Sequence, residues 1–86
     1  MSAYALRLTS PDGDFFRGPA TRLCVRGGEG DLAVLAGHTP FITTVRSGTF
    51  SLETESGEVR EGTCGVGILT VGKEETTLLS SSFSWR

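Results

Sequence analysis

With 86 residues, 8 Lys and Arg against 10 Asp and Glu, and a net charge of -2, the chain has room for one domain and one modest core. The basic residues are scattered among acids and the pI is near 5.2, so there is no electrostatic footprint for nucleic acid. No run approaches the roughly 18 to 20 apolar residues of a membrane-spanning helix, and residues 1–4 open no secretory pattern, which predicts a chain made in the cytoplasm with no direct membrane insertion.

Twelve glycines, three prolines and no sustained apolar period of a helix predict an all-β chain of short strands. Tyr4, Leu6 and Leu8 alternate with Ala5, Arg7 and Thr9, the two-residue period of a strand with one buried face. Ser10-Pro11-Asp12-Gly13 supplies a turn, since Pro presets φ and Gly accepts positive φ. Phe15 and Phe16 open a second strand that Gly18-Pro19 is expected to break, and residues 21–26 form a third. Gly27-Gly28-Glu29-Gly30 turns into the apolar run 32–35, and Ala36-Gly37-His38-Thr39-Pro40 punctuates before a strand over 41–46. Residues 50–55 and 58–63 form a hairpin around Ser56-Gly57, and 68–71 pairs with 76–79. Residues 80–86 are expected as a flexible tail, with Phe83 and Trp85 spaced to prolong the last strand.

Turns spaced about 8 to 12 residues apart suit a sandwich or barrel. The alternation assigns Leu6, Leu8, Leu23, Val25, Val34, Phe50, Leu52, Leu69 and Leu78 to the core of a two-layer antiparallel β-sandwich. Phe15, Phe16 and Phe41 fit core-facing positions better than a stacking platform, because no basic residues are interleaved with them.

Few residues offer chemistry. His38 is the one histidine, and no Gly-x-Ser-x-Gly elbow accompanies it. Its plain reading is a turn or interface residue. Gly27-Gly28-Glu29-Gly30 and Gly62-Thr63-Cys64-Gly65-Val66-Gly67 lead into strands and carry no Lys-Ser/Thr, so they read as turns or bulges and not as phosphate loops. Glu53, Glu55, Glu58 and Glu61 lie along a hairpin without calcium-loop spacing and read as a solvated face. Cys24 and Cys64 have no Cys-x-x-Cys spacing and are expected as buried reduced thiols not bonded to each other. No catalytic, cofactor or metal site and no small-molecule substrate is expected.

Ser10-Pro11-Asp12-Gly13, Phe16, Gly18 and the run from Gly28-Glu29-Gly30-Asp31-Leu32 to Gly37-His38-Thr39-Pro40 resemble the ε subunit of F-type ATP synthases. That family typically shows T-P-D-G, F-x-G and G-x-E-G-x-x-G-V-L-P-G-H-A-P. Gly48 is similar to its L-x-x-G, and Gly67-Ile68-Leu69-Thr70-Val71 to its G-G-F-x-E-V. The chain departs from the pattern at Gly27, Ala33, Ala36, Val66 and Thr70.

The resemblance implies a flattened sandwich of about ten strands at the foot of a rotary motor's central stalk. It implies the γ subunit and the c ring as partners, at the cytoplasmic face of the bacterial inner membrane, with nucleotide chemistry left to other subunits. Carried over residue by residue, it assigns Glu29, Gly30, Asp31, Gly37, His38 and Thr39 to loops facing the c ring. Gly67, Ile68, Leu69 and Val71 are assigned to the γ-facing surface. Family members continue into a helical hairpin that inhibits ATP hydrolysis, whereas only seven residues follow Leu79 here. A short natural form and a truncated one both fit, and neither inhibition nor ATP binding is expected of these 86 residues. A free-standing β-sandwich interaction module and a small hydrolase built on His38 stay open as other readings.

Overall fold

The structure is a computed structural model, and it describes residues 2–37 and 39–86. These residues hold nine strands and no helix: β1 (Tyr4–Ser10), β2 (Gly13–Gly27), β3 (Gly30–Leu35), β4 (Phe41–Val45), β5 (Gly48–Thr54), β6 (Val59–Cys64), β7 (Gly67–Val71), β8 (Glu75–Ser80) and β9 (Phe83–Trp85). The all-β expectation holds.

The nine strands agree with the expected sandwich of about ten, but β2 does not break at Gly18-Pro19, and β9 is a strand of its own. β2 runs 15 residues and changes partners on the way. Its first half pairs with β1, from Ser10↔Gly13 to Tyr4↔Ala20. Its second half lies between β3 and β5, with Leu23 opposite both Val34 and Leu52. Pro19 lacks a backbone N–H and is tolerated just before the point where β5 takes over as partner, next to a ladder irregularity between Ala20 and Arg22.

Hydrogen bonding joins all nine strands in the order β1-β8-β7-β4-β2-β5-β6-β9, with β3 on β2 and β1 also on β2. The shared β2 lets the sheet fold over into two layers, β2-β1-β8-β7-β4 and β3-β2-β5-β6-β9. One pairing departs from the antiparallel expectation: β1 and β8 run parallel. The hairpin between β7 and β8 fixes the direction of β8, and β8 then lies along β1 with the same polarity.

The core collects one face of each strand. Leu6, Leu8, Leu23, Leu52, Leu69 and Leu78 are fully buried, with Val25, Val34, Val45, Phe50, Val71 and Cys64 beside them. Every residue assigned to the core by alternation is in it. Phe15, Phe16 and Phe41 pack against it partly buried. The Tyr4 hydroxyl donates to the Val34 carbonyl at 2.8 Å, and burial, with Cys24 adding, raises its pKa above the ordinary phenol value. Both cysteines are free thiols, Cys64 buried and Cys24 half-buried. Burial pushes the Cys64 pKa up.

Residues 80–86, expected as a flexible tail, carry the end of β8 and the short strand β9. The Ser80 hydroxyl donates to the carbonyls of Gly65 and Ser82, which bends the chain away from β8. β9 then pairs with β6, Phe83 opposite Cys64 and Trp85 opposite Gly62. The Trp85 ring lies 4.6 Å from that of Phe15 and 5.8 Å from that of Phe50, and the Arg60 guanidinium sits 4.0 Å over its face. Stacking and a cation–π contact hold a strand too short to be held by its ladder alone.

On the β1–β2 surface, Arg7 Nε donates to Asp14 Oδ1 at 2.8 Å and Arg17 Nη1 lies 3.6 Å from Oδ2. The Arg7 hydrogen bond, with smaller help from Thr9 and the two positive charges, holds the Asp14 carboxyl below its ordinary value of 3.8. A depressed folded-state pKa contributes stability that is present above the unfolded value and lost as pH falls through the folded one. Asp14→Asn is therefore expected to flatten the acid limb of the stability curve by lowering stability slightly at neutral pH and leaving it unchanged near about pH 2. Thermal midpoints measured between about pH 6 and about pH 2 test this, and an unchanged acid limb would rule the contribution out.

Candidate interaction surfaces

The first surface is an acidic turn. β2 and β3 close on the pair Gly27↔Gly30, so Gly28 and Glu29 form a two-residue connection, and Gly30 takes a φ of +132° that favours glycine. Glu29 and Asp31 are both exposed. The end of β4 holds the turn from the side: Gly28 N–H donates to Thr44 O at 3.1 Å, and Arg46 N–H donates to Arg26 O at 2.7 Å. The Arg46 guanidinium adds a bond from Nη2 to Gly28 O at 3.0 Å.

Gly37 and Thr39 lie at the opposite end of β3, both exposed. His38 lies outside the described residues. At about 3.3 Å per residue, the strand puts roughly 17 Å between the two ends. The two segments assigned together to the c ring are therefore not brought together by the fold.

The second surface is the outer face of β4, β7 and β8. Residues alternate in and out along each strand. Ile68 points outward opposite Thr44 on one side and Leu79 on the other, and Ile42 lies on the same face, opposite Thr70. Ile42 is 70% exposed, and Ile68 and Leu79 about half exposed, so three branched apolar side chains face solvent among threonines. Val66, just before β7, is exposed as well.

The residues assigned to the γ-facing surface differ in exposure. Ile68 presents its side chain and Gly67 its backbone, but Leu69 is fully buried and Val71 nearly so. Strand periodicity separates neighbours that a continuous motif groups together. Ile42 and Leu79 were missed, although each is an apolar residue on the solvent-facing half of its strand's alternation. Arg46 was also missed, because it shows no such pattern.

No group of three or more His, Cys, Asp or Glu among the described residues is placed to hold a metal ion. The described residues thus form a β-sandwich that exposes an apolar strip on one face and an acidic turn at one end.

The family model for the β-sandwich domain of the ATP synthase delta/epsilon chain matches residues 3–86, and the chain belongs to that family. It is 38% identical over 82 residues to the sodium ion specific ATP synthase epsilon chain of Acetobacterium woodii, covering 95% of this chain and 62% of that one. To the ATP synthase epsilon chain of Caldicellulosiruptor saccharolyticus it is 28% identical, covering 99% of this chain and 61% of the other. The chain thus spans about three fifths of the length of the curated relatives it matches.

Among solved structures, a chain of the Euglena gracilis mitochondrial ATP synthase OSCP/F1/c-ring assembly superposes with a TM-score of 0.91 at 22% identity, over 99% of this chain and 54% of that one. A chain of the Tetrahymena thermophila mitochondrial ATP synthase central stalk and c ring gives 0.77 at 12% identity, over 96% and 66%. At such identities the likeness is one of fold.

Proposed function

We propose that this sandwich is a non-catalytic rotor piece of a rotary proton- or sodium-translocating ATP synthase, joining the γ subunit to the c ring at the cytoplasmic face of the bacterial inner membrane. The observation that carries this reading is the 38% identity to an ATP synthase epsilon chain over 95% of this chain. The two surfaces support it. The apolar strip Ile42, Ile68 and Leu79 suits a lasting subunit contact, in which burial of branched side chains supplies most of the affinity. Glu29 and Asp31 suit a partner with basic polar loops, where complementary charge sets orientation and encounter rate more than affinity. A close-packed sandwich is stiff enough to pass torque between the two.

The test is association of the purified chain with a γ subunit and with a c ring. Ile68→Asp places a charge in the strip while leaving the core untouched, and is expected to weaken γ binding about tenfold or more. Glu29→Lys with Asp31→Lys is expected to weaken association with the ring at low salt and to leave γ binding intact. Undiminished γ binding by the Ile68→Asp chain would remove the strip from the interface, and an unaffected ring complex would remove the acidic turn.

A further inference from the structure

The acidic turn carries three glycines in its four central positions, Gly27, Gly28 and Gly30 around Glu29. Such a sequence is conformationally permissive, and a Glu29 carried on it alone would sample many directions. Yet the turn is tied to the neighbouring strand by three bonds at one place: Gly28 N–H to Thr44 O, Arg46 N–H to Arg26 O, and Arg46 Nη2 to Gly28 O. Two of these are backbone bonds of the β2–β4 contact, which any residue at position 46 would allow. The third needs a long side chain with a donor at its end.

Arg46 is exposed, and a hydrogen bond from an exposed guanidinium adds little to global stability. Its effect is local: it fixes the carbonyl at the apex of the glycine-rich turn and so the direction in which Glu29 and Asp31 project. Fixing that direction before a partner arrives removes an ordering cost from binding. β4 also carries Ile42, so the same bonds tie the orientation of the acidic turn to that of the apolar strip.

We propose that Arg46 is a positioning residue for the acidic turn, presenting Glu29 and Asp31 to the basic partner; the partner's identity as the c ring rests on the function proposed above. Amide exchange in the isolated 86-residue chain and binding to a detergent-solubilised c ring read the two halves of the proposal separately. Arg46→Ala is expected to speed exchange at the Gly28 amide roughly tenfold, with β5 and β6 unchanged, and Arg46→Lys to restore most of the protection. Ring affinity should fall roughly three- to tenfold in Arg46→Ala. In a Glu29→Gln, Asp31→Asn background, already weakened, Arg46→Ala should cause no further loss.

Unchanged exchange at Gly28 would overturn the proposal. So would an equal additional loss of ring binding in the neutralised background, which would make Arg46 a direct contact. If the neutralised chain binds the ring like the parent while Gly28 exchange still responds to Arg46→Ala, the ring-facing role falls and the turn-fixing role stands.

Discussion

Replacing Gly67 by alanine is expected to lower the stability of the sandwich by about 3 kcal/mol, one of the largest effects available from a single methyl group in this chain. Gly67 opens β7 directly opposite Ser80. A Cβ built there meets the Leu79 carbonyl oxygen in a forbidden overlap and lies 3.0 Å from the Leu79 carbonyl carbon and the Ser80 Cα. All three atoms are backbone, so no side chain can swing away to relieve the clash. The ladder has to open, and β8 carries Leu78 into the centre of the core while Ser80 anchors the bend toward β9. A loss of this size corresponds to a fall of roughly 10–20 °C in the thermal midpoint of a domain this small. Urea unfolding followed by far-UV circular dichroism is the check. A midpoint equal to the parent's would mean that β7 and β8 do not approach as closely as the structure has them.

The second large effect is at Trp85. Its ring touches Phe15, Phe16 and Phe50 at centroid distances of 4.6, 6.3 and 5.8 Å and lies beneath the Arg60 guanidinium. Trp85→Ala removes these contacts together and is expected to cost about 2–3 kcal/mol, less than a fully buried tryptophan because the ring is only half-buried. Trp85→Phe keeps the stacking and is expected to cost about 1 kcal/mol. Circular dichroism must serve as the probe, since Trp85 is the one tryptophan and the substitution removes the fluorescence. If the alanine variant unfolds at the same urea concentration as the parent, β9 contributes nothing to stability and the tail expected over residues 80–86 would be the better description.

Much of the core was legible because it depends on a single local rule. Leu6 and Leu8, Leu23 and Val25, and Phe50 and Leu52 are each two residues apart, and a strand with one wet face buries every second side chain. The same rule, applied strictly, also separates Ile68 from Leu69 and Val71, which a motif read as a block does not. Facts about partners were not legible. Nothing local at Gly18-Pro19 shows that a strand loses one neighbour there as it gains another, so the break was expected and the continuous β2 was not. The serines after β8 gave no sign that the Ser80 hydroxyl would turn the chain toward β6. The roughly 17 Å between the two ends of β3 follows from the strand being extended, and a continuous run of motif residues in one line of sequence conceals it. Arg46 reaches a carbonyl 18 positions earlier in the chain, a pairing that leaves no periodic trace.

The passage of β2 through both layers bears on how the molecule would carry mechanical force in the rotor role proposed above. Two sheets that merely stack can slip past one another when pushed sideways, resisted only by side-chain packing. Here one backbone is shared, and sliding would require stretching covalent bonds or shearing the ladders on β1, β3 and β5 all at once. Interstrand hydrogen bonds lie across the strand axis, so a push along β2 loads them in parallel instead of peeling them one at a time. The acidic turn stands at one tip of this strand and the β1 ladder grips its other half, which makes β2 a splint running from the end of the sandwich into the layer that bears the exposed isoleucines.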